Sequence, residues 1–481
     1  MFSSALLSPI AWRQASKILH QAWPVLLGSW ASIIFGVLDT AMTGHASAAD
    51  LQAMGLGVSI YITVFIGLMG VLHALIPILA QSYGAHHNLE VGRMWGQGVW
   101  LSLFLTALGS IALLFPDLWL SASGQLEPEV HDKIVMYLRS LILALPAALI
   151  FRTIYALGTA VSRPKMVMLI NLASVLFKAL LNWLLIFGKW GLPAMGAVGS
   201  GLATTIVSWL MLIAGIILLK RDSFFQRFKL QLGRPLWRDQ KELLRLGIPM
   251  GGSYLIEIFA FTFMALLVAR EGKFVSGGHQ IMANLAAVSF MIPMAIGVAT
   301  ASITAQAIGA GQLHRARITG NYGVVIVFLF ACLTAGLLLA TRGTLAQLYS
   351  NDIEVVVMAL ALLQLLPLFH FCDALQCVVT YILRAYKIAF IPMLMQIIAL
   401  SGVGLGGGWW LGFGPGKGQL DNFLLRLSPN MPSGAGSMWL MSSSGLGLSA
   451  VLLLLWYTHV LRTYPKSKRR INLPDPDAPL S

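Results

Sequence analysis

Five ionisable side chains stand inside otherwise apolar segments of the sequence. They are Asp39 in GVLDTAM, Arg152 in LIFRTIYAL, Lys178 in SVLFKALLNW, Glu257 in YLIEIFAF and Asp373 in FHFCDALQC. A charge at the centre of a membrane helix costs roughly 2.5–3.5 kcal/mol on insertion scales, so such residues are functional candidates by default. The alternative is that they pair with one another and only lock helices together. Their distribution over both halves of the chain favours a functional role.

The acids Glu257 and Asp373 would form an ion site if their two helices pack together. Two like charges with little water around them retain a shared proton near neutral pH. The same hard oxygens, helped by backbone carbonyls, would instead bind a small monovalent cation such as Na+. In either case the occupancy of the site follows an ion gradient. His370 lies on the same helical face as Asp373, where it either tunes the site or packs as a neutral side chain.

The first half of the chain holds a second polar group. Asp39 would attract organic cations and exchange one for a proton. Lys178 and Asn182 are one helical turn apart and share a face, so Lys178 is a candidate partner of Asp39. With Arg152, these two residues make up the predicted polar cluster of the first half.

The second half of the chain also carries stretches rich in aromatic and methionine side chains. Phe261 and Phe290 lie in stretches rich in Phe and Met, including FMIPM. Such side chains form adaptable surfaces for flat apolar cations. Ordinary helix packing is the simpler explanation for each of them.

Composition identifies the elements that must position these residues. The 481 residues are 57% hydrophobic and only 10% charged, whereas a soluble domain carries roughly 25% charged residues. A membrane-spanning helix needs about 20 apolar residues, which predicts an all-α polytopic membrane protein with about twelve spans. We place them near residues 18–43, 55–81, 97–116, 134–160, 166–188, 196–219, 245–269, 281–308, 322–341, 355–383, 390–413 and 435–461.

Basic residues indicate how these spans are oriented. If the N-terminus is cytoplasmic, 22 Lys and Arg residues fall on the cytoplasmic side and 8 on the other. This asymmetry predicts that both termini are cytoplasmic. The net charge of +14 therefore reflects membrane orientation, and we expect no nucleic-acid partner.

The longest polar interval divides the chain almost in half. We predict a six-helix lobe over 1–219, a cytoplasmic linker over 220–244, a second six-helix lobe over 245–463 and a basic cytoplasmic tail over 464–481.

Short sequence matches indicate that the two lobes are duplicates. IPILAQSYGA and ASITAQAIGA align at an offset of 225, which also relates Pro24 to Pro249. Farther along, Pro146 and Arg163 match Pro367 and Arg384 at an offset of 221, which would place Arg152 opposite Asp373. Duplicates with an even number of spans keep one orientation, so the lobes should be related by a pseudo-two-fold axis along the membrane normal.

Several longer segments resemble the NorM-type multidrug and toxic compound extrusion (MATE) transporter family. They are AWPVLLGSWASIIFGVLDTAMTGHASAADLQAMGLGVSI, PILAQSYGA, NWLLIFGKWGLPAMGAVGSGLAT, GIPMGGSYLIEIFAF and LPLFHFCDALQCVVTYILRAYK. The resemblance runs from about residue 15 to 465. It implies two helical bundles that face each other across a central cleft, and a functional monomer.

The resemblance also implies roles for individual residues. Asp39, Glu257 and Asp373 resemble the family's membrane acids, and the last two form its coupling-ion region. Other positions resemble those that line or cap the substrate cavity: Gln280, Ser59, Phe261 and Asp352. Many members carry an asparagine where this chain has Lys178, so a fixed positive charge beside Asp39 would alter the first-lobe site.

These observations predict a secondary transporter and not an enzyme. The resemblance implies that it would export cationic aromatic drugs and dyes in exchange for inward Na+ or H+, by alternating access, in the inner membrane of a bacterium. No phosphate-cradling GxxxxGK[ST] motif is present, so no nucleotide and no organic cofactor is expected. One alternative is a lipid-linked saccharide flippase of the same superfamily, which would need several cavity arginines. Another is a structural protein whose membrane acids are dispensable.

Overall fold

The computed structural model describes residues 9–120 and 127–468, and side chains over 12–120 and 127–464. Within these ranges all regular secondary structure is helical. The predicted basic tail lies largely outside the described residues.

Nine helices make up the first half of the described chain. They are α1 (Pro9–Gly44), α2 (Ala48–Leu72), α3 (Leu75–Gly84), α4 (Asn88–Leu114), α5 (Pro116–Leu120), α6 (Pro128–Ala160), α7 (Pro164–Phe187), α8 (Gly196–Arg221) and α9 (Ser223–Gln226).

Nine further helices make up the second half. They are α10 (Trp237–Val268), α11 (Lys273–Gly309), α12 (Leu313–Tyr349), α13 (Ile353–Leu362), α14 (Leu366–Ala385), α15 (Phe390–Gln396), α16 (Gly407–Gly412), α17 (Asp421–Leu427) and α18 (Ser433–Lys468). A 3₁₀ turn (Ala269–Glu271) extends α10, and a π-helix (Ile397–Gly406) joins α15 to α16.

Twelve helical segments of the described chain are long and apolar enough to cross a membrane, which confirms the predicted number. One predicted boundary is wrong. The tenth span is α14 alone, and residues 353–362 form the separate helix α13. Pro367, in the first turn of α14, explains the break, because proline lacks an N–H and is favoured at a helix start.

The two halves repeat each other at an offset of 225. The starts of α2 and α11 differ by this number of residues, as do the starts of α4 and α12 and the ends of α6 and α14. The turns after α6 and α14 also match, with φ of 60° at Ser162 and 59° at Lys387. The predicted offset of 221 is therefore wrong here, and Arg152 is equivalent to Cys377 and not to Asp373.

The lobes cross most closely at the repeated AQxxGA motif. A Cβ on Gly84 would overlap the backbone carbonyl of Gln306, and a Cβ on Gly309 would overlap that of Gln81. These two contacts are related by the offset of 225, so the pseudo-two-fold axis passes between them. Only glycine permits so close an approach of two helix backbones.

The same two glutamines fasten each lobe to the other. Gln81 Nε2 donates to the carbonyl of Ala385 at 2.8 Å, and Gln306 Nε2 donates to that of Ala160 at 2.6 Å. Each amide thus satisfies a carbonyl at the end of a helix in the opposite lobe, where the backbone lacks an intrahelical partner.

The connection between the lobes packs beside this crossing. Helices occupy parts of the predicted linker, so the segment between the long helices α8 and α10 is 222–236. Gln97 of α4 holds it by donating to the carbonyl of Arg234 and accepting from the N–H of Leu236. Arg93 pairs with Asp239 of the second lobe. We call this end of the lobes the linker side.

Gly84→Ala should destabilise the protein by about 1–3 kcal/mol, because an added methyl group has no space at the crossing. Gly309→Ala should behave alike, since its contact is symmetric. Thermal unfolding of the purified protein would measure both. Gly336→Ala is the matched control, because nothing lies within 4 Å of a Cβ at that glycine. Equal melting temperatures for all three variants would contradict this account of the crossing.

Candidate functional site

Glu257 of α10 and Asp373 of α14 converge on one side chain. Gln376 Nε2 lies 3.3 Å from Glu257 Oε1 and 3.4 Å from Asp373 Oδ1, so a single amide donates to both acids. The structure therefore brings together the two residues that were expected to meet. The side chain of Asp373 is 9% exposed, which leaves little room for water around it.

Two glutamines of this group were missed by the sequence analysis. Gln376 follows Asp373 by three residues, so helical spacing places both on one face, and that spacing was an available signal. Gln396, at the end of α15, donates through Nε2 to Gln376 Oε1 at 2.9 Å. Both glutamines are about 1% exposed.

His370 packs away from the acids. Its Nε2 lies 2.6 Å from Thr334 Oγ1 of α12, and its side chain is buried. This contact accounts for the polarity of the ring and agrees with the packing interpretation of His370.

In the first lobe, Asp39 of α1 meets two residues of α7. Lys178 Nζ and Asn182 Nδ2 each lie 2.8 Å from Asp39 Oδ1. Lys178 also donates to the carbonyl of Ser200 at 3.1 Å and to Thr204 Oγ1 at 2.5 Å. An ammonium group has three donors, and here each has an acceptor.

Arg152 does not belong to that group of contacts, although it was placed there by the sequence analysis. Its guanidinium lies 5.7 Å from the ring centres of Phe65 and of Tyr155. Such cation–π contacts stabilise an arginine within a helical bundle. The first-lobe cluster is therefore Asp39, Lys178 and Asn182.

A tyrosine pair of the second lobe, on the linker side of Glu257, contacts the first lobe through His73. Tyr254 Oη lies 2.7 Å from Tyr381 Oη, 3.2 Å from Arg384 Nη1 and 3.2 Å from His73 Nδ1. His73 belongs to the first lobe and the other three residues to the second. This cluster was not predicted from the sequence.

The residues expected in the substrate cavity are scattered. Phe261 is 39% exposed, and its ring meets those of Phe369 and Trp439 edge to face at about 6 Å. Phe290 is half-buried against the main core. Gln280 and Ser59 are exposed, and the Ser59 hydroxyl donates to the carbonyl of Gly55 in its own helix.

Asp352 has a local role in addition to any role in the cavity. Its Oδ1 accepts from the N–H of Glu354 at 3.0 Å, so it caps the N-terminus of α13. Aspartate at this position satisfies backbone donors that have no intrahelical partner.

The second-lobe site offers the carboxylates of Glu257 and Asp373 to an ion, and the amide of Gln376 faces both of them as a hydrogen-bond donor. No group of three or more His, Cys, Asp or Glu side chains converges anywhere in the described ranges. Such a donor set suits a proton or a hard monovalent cation better than a transition metal, which prefers imidazole or thiolate ligands.

A family model for MatE matches the chain twice, over residues 24–184 and 249–410. The two matches begin 225 residues apart, in agreement with the structural repeat. The chain belongs to the MatE family of transporters. The probable multidrug resistance protein NorM of Aromatoleum aromaticum is 36% identical over 408 residues, which covers 84% of this chain and 88% of that protein. Its counterpart in Neisseria meningitidis serogroup B is 34% identical over 93% of this chain and 94% of that protein.

Solved structures share the fold of this MatE transporter. The eukaryotic MATE transporter AtDTX14 superposes with a TM-score of 0.85 at 21% identity, over 96% of this chain and all of that one. The Vibrio cholerae MATE transporter VcmN in its bent form gives 0.81 at 16% identity, over 95% of this chain and 99% of that one. These structures confirm the expected two-lobe helical architecture. Membership of the MatE family identifies a multi-pass transporter and not an enzyme.

Lys178→Met in this MatE transporter should cost about 3–5 kcal/mol, because it leaves Asp39 charged and buried without its cation. The double variant Asp39→Asn/Lys178→Met should be more stable than Lys178→Met alone, since both charges are then removed. A double-mutant cycle of melting temperatures would measure this coupling. Additive effects of the two changes would show that the pair does not act as a unit.

Proposed function

We propose that this protein is a secondary multidrug exporter that exchanges cationic aromatic drugs and dyes for inward Na+ or H+. The observation that carries the proposal is the convergence of Glu257 and Asp373 on the amide of Gln376 within the spans. Two carboxylates beside one neutral donor leave a net negative site, which a proton or a monovalent cation would neutralise. NorM relatives named for multidrug resistance support the choice of drugs as substrates.

An ion gradient supplies the energy that such exchange needs. A tenfold concentration ratio is worth about 1.4 kcal/mol, and each charge that crosses the membrane adds about 2.3 kcal/mol per 100 mV. Exchange requires that ion and drug favour different arrangements of the lobes, because a ligand shifts an equilibrium only by its differential affinity for the two states.

We propose different roles for the acids of the two lobes. Lys178 neutralises Asp39 and has all its donors engaged, so the first lobe holds no uncompensated carboxylate at that position. Glu257 and Asp373 share only an amide. We therefore assign ion coupling to the second lobe, and to Asp39 a role in organising the first-lobe wall.

Drug binding is assigned to the surface that includes Phe261. Its ring is held edge to face against Phe369 and Trp439, so one face of a rigid aromatic cluster is available to a flat cation. Gln280, Ser59, Phe290 and Asp352 are proposed as further cavity residues, on their resemblance to family positions or, for Phe290, on its Phe- and Met-rich stretch.

Glu257→Gln should abolish gradient-driven ethidium efflux while the protein still reaches the membrane, because the site then has one carboxylate fewer to bind the ion. The assay uses proteoliposomes with an imposed Na+ gradient and, separately, an imposed pH gradient. Glu127→Gln is the control, since Glu127 is exposed and its side chain makes no capping hydrogen bond. Unimpaired efflux by Glu257→Gln would refute the assignment.

The wild-type protein decides between the broader alternatives in the same assay. Efflux driven by one gradient names the coupling ion. A folded wild type that moves no dye under either gradient would refute the drug exchanger and favour a lipid-linked substrate.

We also propose that the linker side faces the cytoplasm of a bacterium, that both termini lie there, and that the monomer is the functional unit. In a background without Cys332, Cys372 and Cys377, a membrane-impermeant maleimide should label Lys417→Cys in intact cells. Lys229→Cys, in the linker segment, should react only after permeabilisation. The reverse pattern would invert the topology.

A further inference from the structure

The amides of Gln376 and Gln396 form an oriented chain behind the two acids. When both acids are ionised they only accept hydrogen bonds, and Gln376 presents its NH₂ group to Glu257 and Asp373. Its carbonyl oxygen is then directed away from them, and it accepts from Gln396 Nε2 at 2.9 Å. The orientation of each amide is thus fixed by the next group along the chain.

The far end of this chain is an unpaired oxygen. Gln396 Oε1 is buried and has no hydrogen-bond partner among the described residues. An unpaired buried acceptor is unfavourable, because it has given up its hydrogen bonds to water without replacement. If the Gln396 amide rotated by 180°, its unpaired oxygen would give up no hydrogen bond. Gln376 Oε1, however, would lose the donor Nε2 of Gln396. The observed orientation is therefore the one that the acids require.

The backbone around the chain also departs from regular helix. Gln396 is the last residue of α15, and the π-helix Ile397–Gly406 begins directly after it. π-Helical turns are rare and occur frequently at functional sites. Gln376 of α14 contacts Glu257 of α10 and Gln396 of α15. The two amides thus connect α10, α14 and the irregular helix that starts with α15.

We infer that Gln376, oriented by Gln396, is a positioning residue that weakens ion binding at Glu257 and Asp373 enough for release. This inference rests on the proposed function of the two acids. Donation from Gln376 stabilises the empty, doubly charged site. A proton or cation that binds there must compete with those hydrogen bonds, so its affinity is lowered and its departure is faster.

Replacing the amide should therefore tighten ion binding and slow turnover. In Gln376→Met the half-saturating concentration of the driving ion should fall about tenfold, because the empty site loses the two hydrogen bonds that stabilise its charge; tenfold corresponds to about 1.4 kcal/mol. The maximal rate of ethidium efflux should fall with it. Gln396→Met should shift both quantities in the same direction by a smaller factor, because Gln376 remains but is free to turn.

The test measures efflux rate against driving-ion concentration in proteoliposomes of the full-length protein. Gln312→Met is the control, because Gln312 is an exposed glutamine beside the start of α12. A merely structural defect would lower the maximal rate and leave the half-saturating concentration unchanged, which would overturn the inference. A higher half-saturating concentration would also overturn it, since Gln376 would then be contributing to ion binding.

Two outcomes distinguish a failure of this inference from a failure of the proposed function. Normal efflux by Glu257→Gln would refute the ion site itself. If Glu257→Gln is inactive but the half-saturating concentrations of Gln376→Met and Gln396→Met are unchanged, the ion site stands and only the role of the two glutamines is refuted. If Gln376→Met does not fold, Gln396→Met alone decides, because it leaves the Gln376 side chain in the protein and removes only the group that orients it.

Discussion

The arrangement of the lobes depends on one constraint: Gly84 and Gly309 each pack directly against a helix backbone of the opposite lobe. Gly84 and Gly309 allow α3 and α11 to cross so closely that Gln81 and Gln306 can each reach a helix end in the other lobe. The crossing lies on the linker side, beside the ion pair between Arg93 and Asp239. The lobes are therefore joined at one end of their spans by close backbone packing, two amide–carbonyl hydrogen bonds and one ion pair.

The duplicated scaffold carries different chemistry in its two halves. In the first, Lys178 compensates Asp39 and its donors are all satisfied, so that site is a stable buried pair. In the second, Glu257 and Asp373 share the amide of Gln376, and their charge is left for an ion to neutralise. Symmetry sets where helices begin and end, and single residues within it decide whether a lobe holds a compensated ion pair or two neighbouring carboxylates.

Hydropathy was sufficient to predict the number of spans, because each must be apolar over the width of a bilayer. The charged pairs were also predictable, since a buried charge is costly and needs a partner. Gln376 and Gln396 escaped notice because a neutral amide carries no comparable cost signal. The break between α13 and α14 was missed because its residues continue an apolar run. The offset of 221 failed because it rested on single matched residues, whereas 225 rested on a motif that makes a structural contact.

The central claim is that ion and drug movements are coupled through Glu257 and Asp373, and reciprocal flux tests it most directly. Proteoliposomes loaded with ethidium would be diluted into dye-free buffer with equal ion concentrations on both sides, and ion movement would be followed with a radioactive or pH-sensitive reporter. Because coupling is reciprocal, the account predicts that outward dye flow drives the ion inward against its developing gradient. Dye flow without any accompanying Na+ or H+ movement would contradict it.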